Sequence, residues 1–114
     1  VVAETANVQK QVNMINSDCR SFATEDDFLK LRKKMAAQKS EENMVVIAKK
    51  SFVVKCYSTE QVRNLSALFL KDEDCYNFFD AAYPHVNDTE NFPTLISRLT
   101  DVYYMNRFKA MIRQ

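Results

Sequence analysis

The chain has 114 residues, 46% of them apolar and 27% charged, and its 16 basic and 15 acidic side chains leave a net charge of +1. These values are typical of one globular domain, and the balanced charge gives no general attraction to nucleic acid or to an anionic membrane. The sequence contains no glycine, which excludes Rossmann, P-loop, nucleophile-elbow and EF-hand sites because each needs glycine at fixed backbone positions.

The N-terminal part of the chain is polar and has apolar residues at intervals of three and four. This pattern predicts an amphipathic helix over about residues 5–16. We assign residues 1–21 to an N-terminal segment and residues 22–114 to a helical domain of about six 16-residue helix-turn units. The chain begins at Val1 without methionine, so we expect that a signal sequence has been removed upstream of it.

Within residues 22–114, preferred helix N-cap residues recur about every 16 positions, and apolar residues follow each of them at helical spacing. The predicted N-caps are Thr24, Ser40, Ser58, Asp72 and Asp88, and a sixth helix begins between Thr100 and Tyr104. This regularity predicts an all-α fold of six or seven short helices in consecutive hairpins around one core. Both a compact bundle and a short solenoid fit the pattern.

The spacing slips by two residues at Ser58, where Gln61 completes a capping box. The slip lengthens the preceding connection, residues 52–57, whose β-branched and aromatic composition also suits a short extended segment. Irregular geometry can create a binding surface, so we select Phe52, Val53, Val54 and Tyr57 as the candidate interaction surface.

Two basic stretches raise the question of nucleic-acid binding. They comprise Lys30, Arg32, Lys33, Lys34 and Lys39, and then Lys49, Lys50 and Lys55. In the first two predicted helices, acidic residues occupy the first turn and basic residues the last, an arrangement that complements the helix dipole by about 0.3–1 kcal/mol per residue. We therefore interpret these lysines as solvated side chains at helix ends and expect no nucleic-acid partner. Weak binding of nucleic acid through them is an alternative.

Candidate catalytic and metal-binding residues are few. His85 is the one histidine, and a general base there, oriented by Asp88, is the alternative that would make this protein an enzyme of unfamiliar type. Cys19, Cys56 and Cys75 are far apart without the paired spacing of a zinc site. We expect them to be buried small side chains, with one disulfide and a free thiol as the alternative. We predict no metal site, no cofactor and no transmembrane span.

The segments STEQV (residues 58–62) and YPHVND (residues 83–88) carry a resemblance to a known family. Over residues 22–113 the chain resembles the bacterial family called domain of unknown function 4476, although Leu70-Lys71 stand where that family tends to have phenylalanine before an acidic cap. The resemblance implies a secreted, periplasmic or cell-envelope protein, often from gut-dwelling Bacteroidetes, with no established activity. It implies that residues 83–88 form a structural corner.

The function that these observations favour is a non-catalytic interaction or structural module that binds an unidentified protein. A lipid anchor upstream of Val1 would also fit an envelope protein.

Overall fold

The computed structural model describes residues 19–113, which form helices joined by short connections. The elements in chain order are α1 (Glu25–Ala36), α2 (Glu41–Phe52), α3 (Thr59–Ser66), α4 (Asp72–Ala82), a first 3-10 helix (Tyr83–His85), a second 3-10 helix (Thr89–Arg98) and α5 (Val102–Ile112). The predicted all-α fold is therefore confirmed. The helix predicted over residues 5–16 lies outside the described residues.

Three of the predicted N-caps begin their helices as expected. The Thr24 hydroxyl accepts from the Asp27 N–H at 3.1 Å, while the Asp27 carboxylate accepts from the Thr24 N–H at 2.9 Å. Ser58 and Gln61 form the same reciprocal capping box, and Ser40 caps α2 by accepting from the Asn43 N–H. These bonds satisfy backbone donors that the first turn of a helix leaves without a partner.

The predicted cap at Asp72 is wrong, because Lys71 is the N-cap of α4 and Asp72 is its first helical residue. The segment just before α4 is held by Glu41, whose carboxylate accepts from the N–H groups of Leu70 and Lys71 at 3.0 and 3.1 Å. The Asp72 carboxylate instead accepts from the N–H groups of Thr100 and Asp101, and so ties the start of α4 to that of α5.

The predicted cap at Asp88 is correct in position and wrong in mechanism. Asp88 precedes the second 3-10 helix, yet its side chain makes no capping bond there. Its carboxylate accepts from the N–H of Thr59 at 2.7 Å and from the Thr59 hydroxyl at 2.9 Å, and so caps α3. The fifth unit is a 3-10 helix with Pro93 inside it, where proline lacks the N–H that a regular α-helix would use.

Packing between distant elements distinguishes a bundle from a solenoid. In a solenoid each repeat contacts only its neighbours, whereas here α2 packs against α4, and α3 packs against the second 3-10 helix. The N-caps are 16 residues apart at Thr24 and Ser40 but 13 apart at Ser58 and Lys71. The described chain is thus a compact bundle, and its 16-residue spacing is not a strict structural repeat.

Phenylalanines from four elements fill the centre of the bundle. Phe78 and Phe79 of α4 contact Phe52 of α2, Phe92 of the second 3-10 helix and Phe108 of α5. Their ring centroids are 5.7–6.1 Å apart, within the range of favourable aromatic pairs. The core therefore forms around α4, which leaves the outer faces of α1, α2 and the 52–57 connection at the surface.

The cysteine prediction is corrected for two of the three residues. Cys19 and Cys56 form a disulfide across 37 residues of sequence, and Cys75 is the buried free thiol. The spacing of the cysteines did not indicate this pairing, because it depends on the extended backbone that places residues 19–23 beside Cys56.

Candidate interaction surface

The 52–57 connection is held by backbone bonds on both sides. After α2 ends at Phe52, Cys56 donates its N–H to the Ser21 carbonyl at 2.8 Å and accepts from the Ala23 N–H at 2.9 Å. One residue later, Tyr57 exchanges backbone hydrogen bonds with residues 85 and 87. The extended alternative is thus correct for Cys56 and Tyr57, which form isolated β-bridges with Phe22 and Val86.

The four residues selected from the sequence divide into two buried and two exposed side chains. Phe52 and Tyr57 are 2% and 3% exposed and meet edge to face with centroids 5.3 Å apart. These two cannot offer a contact surface, so this part of the prediction is corrected. Val53 and Val54 are 70% and 68% exposed, because they lie in the turn that leaves α2 while the aromatic residues on either side point into the core.

The exposed valines lie on a connection that is anchored covalently as well as by hydrogen bonds. The Cys19–Cys56 disulfide is two residues from Val54, and Phe22, which pairs with Cys56 through the backbone, is 57% exposed. The structure thus keeps exposed apolar side chains on a segment whose ends are fixed.

A groove that we call the lysine groove lies on one side of this connection, against α1. It has a volume of about 340 Å³. Its charged residues are Lys30, Lys34, Lys50, Lys55 and Asp27, and Leu31, Ser51, Val54 and Tyr57 complete its lining. The two lysine-rich stretches thus contribute to one concavity, which the sequence did not reveal because it depends on how α1 and α2 pack.

Asp27 and Lys55 form an ion pair in the lysine groove, with the Lys55 Nζ 2.7 Å from the Asp27 Oδ2. The hydrogen bond from Lys55 and the one from the Thr24 backbone lower the pKa of Asp27 to about 2. Burial raises the pKa of Tyr57, which a hydrogen bond with Ser51 partly opposes. Among residues 19–113, Asp27 is the only acidic side chain that lines this groove, and it is already paired with one of the four lysines.

A second groove, which we call the histidine groove, lies on the other side of the connection. It has a volume of about 280 Å³ and contains His85, Pro84, Ser21 and both disulfide cysteines as well as Val53 and Val54. His85 takes part in the fold through its backbone carbonyl, which accepts from the Tyr57 N–H at 3.3 Å. In the described part of the chain, no hydrogen bond links its imidazole to a serine, a cysteine or a carboxylate.

A third groove lies between α2 and α4 and has acidic residues. Glu42, Asp74 and Asp80 line it together with Lys49, so this lysine is separated from the lysine groove. Burial and the nearby Glu41 raise the pKa of Asp74. Among residues 19–113, no group of three or more His, Cys, Asp or Glu side chains is arranged to hold a metal ion.

Comparison with known proteins gives no assignment, because no family model, curated protein or solved structure matches this chain. The resemblance to domain of unknown function 4476 therefore stays a prediction. None of the helices within residues 19–113 has both the length and the apolar character needed to cross a membrane.

Proposed function

We propose that this domain is a non-catalytic protein-binding module, and that Val53 and Val54 form the centre of its binding surface. The observation that carries this proposal is the exposure of two adjacent valines, at 70% and 68%, between two grooves. Contiguous exposed apolar surface that is rimmed by polar residues is typical of protein interaction sites. Fixed backbone on both sides supports the proposal further, because a surface that is already ordered loses less entropy on binding.

We also propose that the module acts in the secreted space, the periplasm or the cell envelope. The Cys19–Cys56 disulfide supports this location, since disulfides persist mainly in oxidising compartments. A lipid anchor upstream of Val1 and membership of domain of unknown function 4476 stay predictions.

The carboxylates of this domain support a structural rather than a catalytic use of its polar residues. Glu41, Asp72 and Asp88 each accept hydrogen bonds from backbone N–H groups of another segment. An enzyme with a site near His85 stays the alternative. It would be supported if the unmodified domain had a catalytic activity that the His85→Ala variant lost while remaining folded.

Photo-crosslinking tests the proposed surface. A benzophenone amino acid at position 54 should form adducts with a discrete protein among the secreted and envelope proteins of the source organism. Position 102 is a matched control, because Val102 on α5 is 66% exposed and Val54 is 68% exposed. We expect adducts at position 54 alone, and competition by the unmodified domain but not by its Val53→Asp/Val54→Asp variant. Equal adducts at both positions, or none at either, would contradict the proposal.

A further inference from the structure

We propose that the lysine groove binds an acidic, extended segment of the protein partner. This inference rests on the proposed function, because Val54 belongs both to the proposed surface and to the groove. It adds the chemistry of the partner, namely carboxylate side chains with an apolar side chain beside them.

The charge of the groove is the first argument. Four lysines and one aspartate line it, and Lys55 is the lysine that pairs with this aspartate. Lys30 pairs with Asp26 at 3.1 Å, but both side chains are more than 70% exposed, and an ion pair so exposed to water is weak. Lys34 and Lys50 form no ion pair with another residue of the described range 19–113. As far as residues 19–113 are concerned, the ammonium groups of Lys30, Lys34 and Lys50 are therefore available to an anionic ligand.

The helix dipole accounts for only part of this arrangement. Lys34 and Lys50 lie in the last turns of α1 and α2, where cations are favoured. Lys30 lies in the middle of α1, and Lys55 lies beyond the end of α2. The helix dipole thus does not explain why these two lysines line the same groove as the others, although each of them has an acidic partner, Asp26 for Lys30 and Asp27 for Lys55.

The length of the groove suits a short extended peptide. It follows α1 from Asp27 to Lys34, a distance of about 10 Å at 1.5 Å per residue. An extended peptide advances about 3.3 Å per residue and places alternate side chains on one face. Roughly three residues would fill the groove, and carboxylates two positions apart would face the lysines.

The remaining lining residues favour protein over nucleic acid or a sulfated glycan. Binding of single-stranded nucleic acid relies on exposed aromatic rings for base stacking, whereas the residue Tyr57 is only 3% exposed. Val54 at 68% exposure offers an apolar contact that a polysulfated chain would not use.

Fluorescence anisotropy tests this inference with defined probes. The acidic probe is a fluorescein-labelled peptide of alternating glutamate and valine, and its neutral control has glutamine in place of glutamate. Labelled oligo-dT and heparin represent the other polyanions. We expect the glutamate peptide to bind at least tenfold more tightly than the glutamine peptide, and its affinity to fall as salt is raised.

Two charge-reversal variants distinguish binding in the lysine groove from nonspecific attraction to the overall charge of the domain. Lys34→Glu/Lys50→Glu should weaken binding of the glutamate peptide at least tenfold. Lys33→Glu/Lys109→Glu changes the net charge equally at exposed positions outside the groove and should weaken it less than twofold. Thermal unfolding monitors whether both variants remain folded.

The remaining outcomes of these experiments would contradict either the acidic-peptide inference or the proposed binding surface. Equal loss in both variants, absence of peptide binding, or stronger binding of oligo-dT or heparin would overturn the acidic-peptide inference. These results would leave the proposed function intact if position 54 still forms specific adducts. Loss of the adducts, with peptide binding retained, would overturn the proposed surface instead.

Discussion

The Asp88 carboxylate provides the sharpest test of how this bundle is held together. It accepts from the backbone N–H of Thr59 at 2.7 Å and from the Thr59 hydroxyl at 2.9 Å, across 29 residues of sequence. Thr59 is 3% exposed, so water has little access to these donors. Asp88→Ala should therefore destabilise the domain through the start of α3, which is remote in sequence from the substitution.

The magnitude follows from what the substitution leaves unpaired. The Thr59 hydroxyl retains a bond to the Asp88 backbone carbonyl at 3.2 Å, whereas the Thr59 N–H loses its acceptor. An unsatisfied buried donor costs about 1–3 kcal/mol, and a hydrogen bond to a charged group contributes about 1.5–3 kcal/mol. We expect a loss of about 2–3 kcal/mol in the free energy of unfolding, equivalent to a fall of roughly 10 °C in Tm for a domain of this size.

Urea unfolding followed by circular dichroism measures this change, and two further variants interpret it. Asp88→Asn keeps an acceptor oxygen and should lose about half as much as Asp88→Ala. Asp80→Ala removes an exposed aspartate from α4 and should change stability by less than about 0.5 kcal/mol. If Asp88→Ala were no more destabilising than Asp80→Ala, the bond to Thr59 would not be what anchors α3.

Three more predictions concern the disulfide, the ion pair and the free thiol. Cys19→Ser/Cys56→Ser releases a loop of 37 residues and should lower the free energy of unfolding by about 4 kcal/mol in urea titrations; an unchanged midpoint would contradict a native disulfide. Because its folded-state pKa is lowered from 3.8 to about 2, Asp27 stabilises the fold fully above about pH 4, and this stabilisation is lost as the pH falls toward 2. Lys55→Met should raise that pKa toward 3.8 in an NMR titration, and an unmoved pKa would exclude Lys55 as its main cause. Burial raises the pKa of Cys75 to about 12, so this thiol should react with Ellman's reagent at pH 8 only in denaturant, and rapid native labelling would refute its burial.

Local signals in the sequence predicted most of the helix starts. Thr24 and Ser58 each have a partner three residues later that completes a capping box, and such a bond requires only local backbone geometry. Asp72 and Asp88 show the limit of this reasoning. An aspartate near a helix start can cap its own helix or reach another segment, and only the packing of the bundle decides between the two.

The candidate surface was also predictable in part from a local signal in the sequence. The slip in spacing at Ser58 indicated an irregular connection, and Val53 and Val54 are indeed exposed there. Neither the helical periodicity nor the composition could show that these two valines are exposed while Phe52 and Tyr57 are buried, since all four residues are apolar or aromatic. The lysine groove was not predictable, because its lysines come from two helices and a turn whose arrangement depends on tertiary contacts.

The long-range hydrogen bonds of the carboxylates determine how the domain unfolds. Each closes a loop of similar length, and each loop begins before the preceding one has ended. The four loops run from Asp27 to Lys55, from Glu41 to Lys71, from Thr59 to Asp88 and from Asp72 to Asp101. A break at any point between the first and last of these residues would open at least one loop. No stretch of this region can therefore detach as an independent half, and we expect the domain to unfold in a single cooperative step.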